Sequence, residues 1–87
     1  MPTKEMKTFD LVMSGKSDNN IKFFDLLSLI VSFGYECRIK GDHFICYHND
    51  YPELINIQPK GNKAKSYQVK QIRDLIKKYN LGGGLDV

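Results

Sequence analysis

The residue best placed to do chemistry is His43, in the run Arg38-Ile-Lys-Gly-Asp-His-Phe-Ile-Cys-Tyr-His48. It follows the turn residues Gly41-Asp42, with Lys40 just before them. A histidine held on a rigid hairpin beside cations is suited to proton transfer. Given the 2′-hydroxyl of an RNA, the imidazole can remove its proton. The oxyanion then attacks the adjacent phosphorus while cations stabilise the developing charge. DNA lacks that hydroxyl, so the chemistry would be specific to RNA. A lone histidine at a turn is more often an idle surface residue, and the case for His43 rests on its neighbours. His48 stands at an odd spacing from His43, which points the two to opposite faces of a regular strand and argues against an acid–base pair. One histidine cannot serve as base and acid within one step, so another group or water must protonate the leaving oxygen.

The second chemical feature is charge. Residues 60–80 hold seven Lys or Arg against one acid, Asp74, whereas residues 1–59 hold six against eight. The net charge of +3 therefore conceals a strongly basic stretch, which points to an anionic partner. Within it, Lys60-Gly-Asn-Lys63-Ala-Lys65 leads into an expected helix start at Ser66. Free backbone N–H groups and the helix dipole would add to the lysine charges there, making a corner for phosphate. The plain alternative is a solvated lysine face.

Other classes are disfavoured. The chain of 87 residues suits one small domain. No apolar run approaches the roughly 20 residues of a membrane span. The polar start Met-Pro-Thr-Lys-Glu-Met-Lys-Thr has no signal-peptide core, so a cytoplasmic protein is expected. Two cysteines are too few for a disulfide framework, and no carboxylate cluster accompanies the histidines, so no metal site is expected. Cys37 and Cys46 read as core residues, near enough to bridge under oxidation but reduced in a cytoplasm.

The elements that must position these residues follow from periodicity. Residues 1–16 form an N-terminal extension or short helix, and Gly15 to Asn20 a loop. Residues 21–33 carry a broad apolar helical face (Ile21, Phe24, Leu27, Leu29, Ile30, Val31, Phe33), stopped by Gly34. Tyr35–Lys40 and His43–His48 read as paired strands across Gly41-Asp42, with Lys40 opposite His43 and Cys37 opposite Cys46. Alternation puts Tyr35, Cys37, Ile39, Phe44 and Cys46 on an inner face and Arg38, Lys40, His43, Ile45 and Tyr47 on an outer one. Asn49–Pro52 reads as a turn, Glu53–Gln58 as a third strand, and residues 59–65 as a loop. Ser66 is the expected cap of a helix over about 67–80 with the stripe Val69, Ile72, Leu75, Ile76 and Tyr79. The phenylalanines Phe23, Phe24 and Phe33 read as core. The expected class is α+β in the order α-β-β-β-α, a three-stranded antiparallel sheet with helices on one face and room for an extra N-terminal helix.

Several segments, taken in order, resemble the HicA toxin family of bacterial type II toxin–antitoxin systems. They are Ser-Gly-Lys-Ser-Asp-Asn-Asn-Ile (14–21), Phe-Gly-Tyr (33–35), Arg-Ile-Lys-Gly-Asp-His (38–43), Ile-Asn-Ile-Gln-Pro-Lys (55–60) and Gly-Asn-Lys-Ala-Lys-Ser-Tyr-Gln-Val-Lys-Gln-Ile-Arg (61–73). The resemblance implies a double-stranded-RNA-binding-like fold over residues 17–81, with 82–87 a flexible Gly-rich tail. It implies an mRNA interferase, a ribosome-independent endoribonuclease, neutralised by a HicB-like antitoxin that covers the active site. The family's Gly-Ser-His histidine corresponds to His43, and its basic RNA contacts chiefly to Lys63 and Lys65. Departures are Asp42 in place of the serine, Ser66 where a proline is common, and Lys22 where a capping Ser or Thr is common.

Together these readings lead to an expected metal-independent endoribonuclease acting on mRNA without a cofactor. His43 is the catalytic candidate, and Arg38, Lys40, Lys60, Lys63, Lys65 and Lys70 are the RNA-binding candidates. The alternatives are a non-catalytic RNA-binding module and a protein-interaction domain.

Overall fold

Thr3 opens the first helix: its Oγ1 accepts a hydrogen bond from the Met6 N–H at 3.2 Å, and Gly15, at φ 69°, closes helix α1 (Lys4–Ser14). The computed structural model describes residues 3–82. Val12 is fully buried, and Phe9 and Met13 pack against the core, so the N-terminal segment is a structural part of the domain. Of the Gly-rich stretch at 82–87, only Gly82 is described; it lies buried beside Phe9, and the rest falls outside the described residues.

Helix α2 (Phe23–Ser32) buries Phe23, Leu26, Leu29 and Ile30. Its inward face is therefore rotated from the one expected. Phe23 points in, while Phe24 is 65% exposed and Val31 50% exposed. So many apolar residues line this segment that periodicity alone does not single out the inner ones. Gly34 follows at φ 95° and the chain turns into the sheet.

Strands β1 (Glu36–Lys40) and β2 (His43–His48) pair antiparallel in the expected register, from Glu36↔Tyr47 to Lys40↔His43. Strand β3 (Tyr51–Ile57) joins the other side of β2, giving the order β1-β2-β3. The connection is shorter than expected: His48 pairs with Tyr51 across Asn49-Asp50, so Tyr51 and Pro52 belong to β3. The register shifts between Cys46 and His48, and Pro52, which has no N–H to give a ladder, sits in this irregular stretch. The segment after β3 is also more ordered than a loop. Strands β4 (Pro59–Lys60) and β5 (Lys63–Ala64) form a small ribbon around Gly61. The backbone bonds Ala64 N–H to Ile21 O at 2.9 Å and Phe23 N–H to Asn62 O at 3.0 Å fasten it to the start of α2.

Helix α3 (Ser66–Tyr79) buries Val69, Ile72, Leu75 and Ile76 of the expected stripe, with Tyr79 half-buried against the core, and ends with Asn80 in the left-handed region. Its cap position is Lys65, with no side-chain cap, and Ser66 is the first helical residue. These helix residues share one core with Cys46, Ile55 and Ile57 from the inner face of the sheet. The protein is thus α+β, with helices on one face of a three-stranded antiparallel sheet and α1 packed on α2 and α3. No described helix is long and apolar enough to cross a membrane.

Candidate functional site

Because both helices pack on one face, the alternate residues of the sheet are left uncovered. Glu36, Arg38 and Lys40 from β1 and Leu54 and Asn56 from β3 are exposed around half-buried His43, Ile45 and Tyr47 of β2. His43 therefore lies where alternation places it, beside Lys40 in the ladder. Its Nδ1 is 2.9 Å from Oδ1 of Asn56, and its Nε2 is 3.7 Å from Oδ1 of Asp42. The first is a hydrogen bond; the second is too long for one.

Asp42 is tied in a second direction. Its Oδ2 accepts from the Gln58 side chain, whose Oε1 in turn accepts from Lys65 Nζ at 2.9 Å. The backbone N–H of Gln58 donates to the buried carboxamide of Gln68 in α3. The hydrogen bond from Gln58 is the main cause holding the Asp42 carboxyl below its ordinary range; His43 and Lys65 add to it. The carboxylate thus stays ionised beside the imidazole, a mixed setting and not a purely cationic one.

Lys65 connects this chain of bonds to a groove of about 830 Å³. Asn19, Lys60, Lys63, Lys65, Ser66 and Tyr67 line it, with Tyr67 64% exposed. The first turn of α3, which no side chain caps, lines the same groove as these three lysines, so the helix dipole adds to their positive charge. Lys63 Nζ donates to Asn20 Oδ1 at 3.1 Å, which fixes one wall. That wall is held from behind. Arg73 grips Asp18 with Nη1 at 3.0 Å and Nη2 at 3.2 Å, and also donates to the Val12 carbonyl.

The structure thus brings together His43, Lys40 and Arg38 on the open face, and Lys60, Lys63 and Lys65 in the adjoining groove. Lys70 lies elsewhere, in a separate hollow with Glu53, Asp74 and Lys78. Arg38 sits 5.8 Å from the centre of the Tyr47 ring, and the Tyr47 hydroxyl donates to Glu36. His48 is structural: its ring packs on Tyr35 and Tyr51, and its Nδ1 accepts the Asp50 N–H at 3.0 Å. Cys37 and Cys46, expected to stay reduced, are joined as a disulfide on the inner face. Ile39, expected inside, is 68% exposed, because β1 is an edge strand that the helices do not reach at this end.

Side chains of the site that were not singled out by sequence include Asn56, Gln58 and Asn20, and the groove residues Asn19 and Tyr67. Alternation shows Asn56 and Gln58 on the open face, but amides in a strand carry no signal of what they bind. Among the described residues, no three His, Cys, Asp or Glu side chains gather as a metal-ligand cluster. No protein-family model matches the chain, no curated protein matches its sequence, and no solved structure matches it.

Proposed function

We propose that the protein binds RNA across the open sheet face and lysine groove and cleaves it with His43 as the proton acceptor. In this reading the Nε2 of His43 takes the 2′-hydroxyl proton and the 2′-oxygen attacks phosphorus. The bond to the 5′-oxygen breaks, and water or another group protonates that oxygen. The products are a 2′,3′-cyclic phosphate and a 5′-hydroxyl. Arg38 and Lys40 stand on the same face to offset the developing charge. Lys60, Lys63 and Lys65 carry the flanking phosphates. The observation that supports the reading most is that His43, with Lys40 opposite it, stands on the open face beside the lysine groove, where Gln58 is bonded to both Asp42 and Lys65.

The sequence resemblance extends this to a HicA-like mRNA interferase with a double-stranded-RNA-binding-like fold, acting in the cytoplasm and neutralised by a HicB-like antitoxin. The element order and the one-sided sheet support that assignment. A second reading is a non-catalytic RNA-binding module, favoured by the Asp42 carboxylate 3.7 Å from His43. A carboxylate there repels a phosphate that comes near enough to react.

A labelled transcript incubated with the protein in EDTA separates the two. The nuclease reading expects cleavage that falls by about 10²- to 10⁴-fold in His43→Ala, the range for loss of a general base. Retention without cleavage selects the binding module, and absence of any interaction rejects both.

A further inference from the structure

We propose that Asn56 is a positioning residue: its side-chain oxygen holds His43 in the tautomer with the proton on Nδ1 and the lone pair on Nε2. The inference deepens the nuclease reading and rests on it for its role in cleavage. The tautomer itself is independent of that reading.

A neutral imidazole carries one proton on either of two nitrogens, and the partner of one decides the state of the other. In the sheet, Ile45 is paired with Asn56, which makes Asn56 the diagonal neighbour of His43 on the same open face. Its Oδ1, which can only accept, lies 2.9 Å from Nδ1. With the amide in this orientation Nδ1 donates, and Nε2 is left as the acceptor. The competing influence is Asp42, whose Oδ1 favours a proton on Nε2. At 3.7 Å that contact is outside hydrogen-bond range, while the Asn56 contact is near the ideal length. The shorter bond prevails in the neutral ring. Asp42 has its effect after the proton transfer, when Nε2 carries a proton and the ring is a cation. The carboxylate, held in place by Gln58, then stabilises that cation.

His48 shows the opposite choice within the same strand. Its Nδ1 accepts the Asp50 N–H, so its Nε2 carries the proton. Two histidines of one short strand thus have reversed tautomers, each fixed by one partner, and serve as internal references for one another.

The test is a long-range proton–nitrogen correlation spectrum of the uniformly ¹⁵N-labelled full chain, at a pH where both rings are neutral. His43 is expected to show a protonated Nδ1 and an unprotonated Nε2, with His48 the reverse. Asn56→Leu should move His43 toward the Nε2–H form, while Asn56→Asp, which can still accept from Nδ1, should keep the original pattern. Leu54→Ala, on the same strand face, controls for general disturbance and should leave His43 unchanged. A wild-type His43 protonated on Nε2, or a tautomer indifferent to Asn56→Leu, overturns the inference whether or not RNA is cut. On the RNA, Asn56→Leu should slow cleavage by at least about tenfold, as expected when a base is held in the wrong tautomer, and Asn56→Asp should recover only part of that loss, because its added charge works against phosphate approach. Full-speed cleavage by a switched Asn56→Leu protein overturns the positioning role. A protein that cuts no RNA but shows the expected tautomers rejects the nuclease reading and supports the tautomer assignment.

Discussion

Arg73 is the residue whose removal should couple stability to the shape of the groove. Its guanidinium ties α3 to Asp18 and to the last turn of α1 through Val12, with side-chain exposures of 14% for Arg73 and 20% for Asp18. Arg73→Met keeps most of the stem volume but removes the fork, leaving a mostly covered carboxylate and a helix carbonyl without their donors. Breaking a fully buried ion pair costs about 3–5 kcal/mol, and an exposed pair is worth at most about 1 kcal/mol. The partial exposure places this pair between those limits, at about 2 kcal/mol. With a urea dependence of about 1 kcal/mol per M for a chain this small, the unfolding midpoint should fall by about 2 M at constant slope. Asp18→Asn retains hydrogen-bond acceptance and should cost about half as much. The double variant should cost less than the sum of the two, since both remove one interaction. Segment 15–20 supplies Asn19 to the groove and the Asn20 acceptor that holds Lys63, so Arg73→Met should also weaken RNA retention without changing its salt slope. A stability loss below about 0.5 kcal/mol, or strict additivity, would refute the assignment of this pair as the anchor of the groove wall.

Other substitutions probe separate parts of the same argument. Gly34 adopts φ 95°, and a Cβ there would lie 2.9 Å from Nε2 of His48; Gly34→Ala should destabilise by about 1–3 kcal/mol in urea titration, and a neutral result would contradict the close approach. Charge removal at Lys63 and Lys65 should weaken RNA binding and flatten its salt dependence by about one unit of log–log slope per contact; an unchanged slope would exclude them as phosphate contacts. The Lys78 ammonium and the Tyr79 hydroxyl donate to Glu53 and hold its carboxyl below the ordinary glutamate range. A depressed folded value means the stabilisation is present above the unfolded pKa and lost as pH falls through the folded one. Glu53→Gln should therefore lower the midpoint more at neutral pH than at about pH 3, and equal losses at both would defeat the assignment. Reducing the Cys37–Cys46 bond should cost at most about 2.5 kcal/mol, the chain-entropy value for so short a loop; thermal melts with and without a thiol reductant measure it.

What the sequence determined by itself was governed by near neighbours. The Gly41-Asp42 turn and strict alternation set the hairpin register, and so the face and the ladder partner of His43. The stripe of α3 was legible because apolar residues occupy only one side of that helix. In α2 they surround it, so only packing could decide that Phe23 enters the core and Phe24 remains outside. The tertiary structure alone decided the contacts between residues distant in sequence: Asn56 on His43, Lys65 on Gln58, Asp18 on Arg73. Periodicity reports which way a side chain points, but a hydrogen-bond partner depends on where a second strand or helix comes to rest. His43 is a case of both. Its exposure on an open face follows from a turn and a period of two, whereas the identity of its proton-bearing nitrogen follows from an asparagine that only the pairing of β2 with β3 brings within reach.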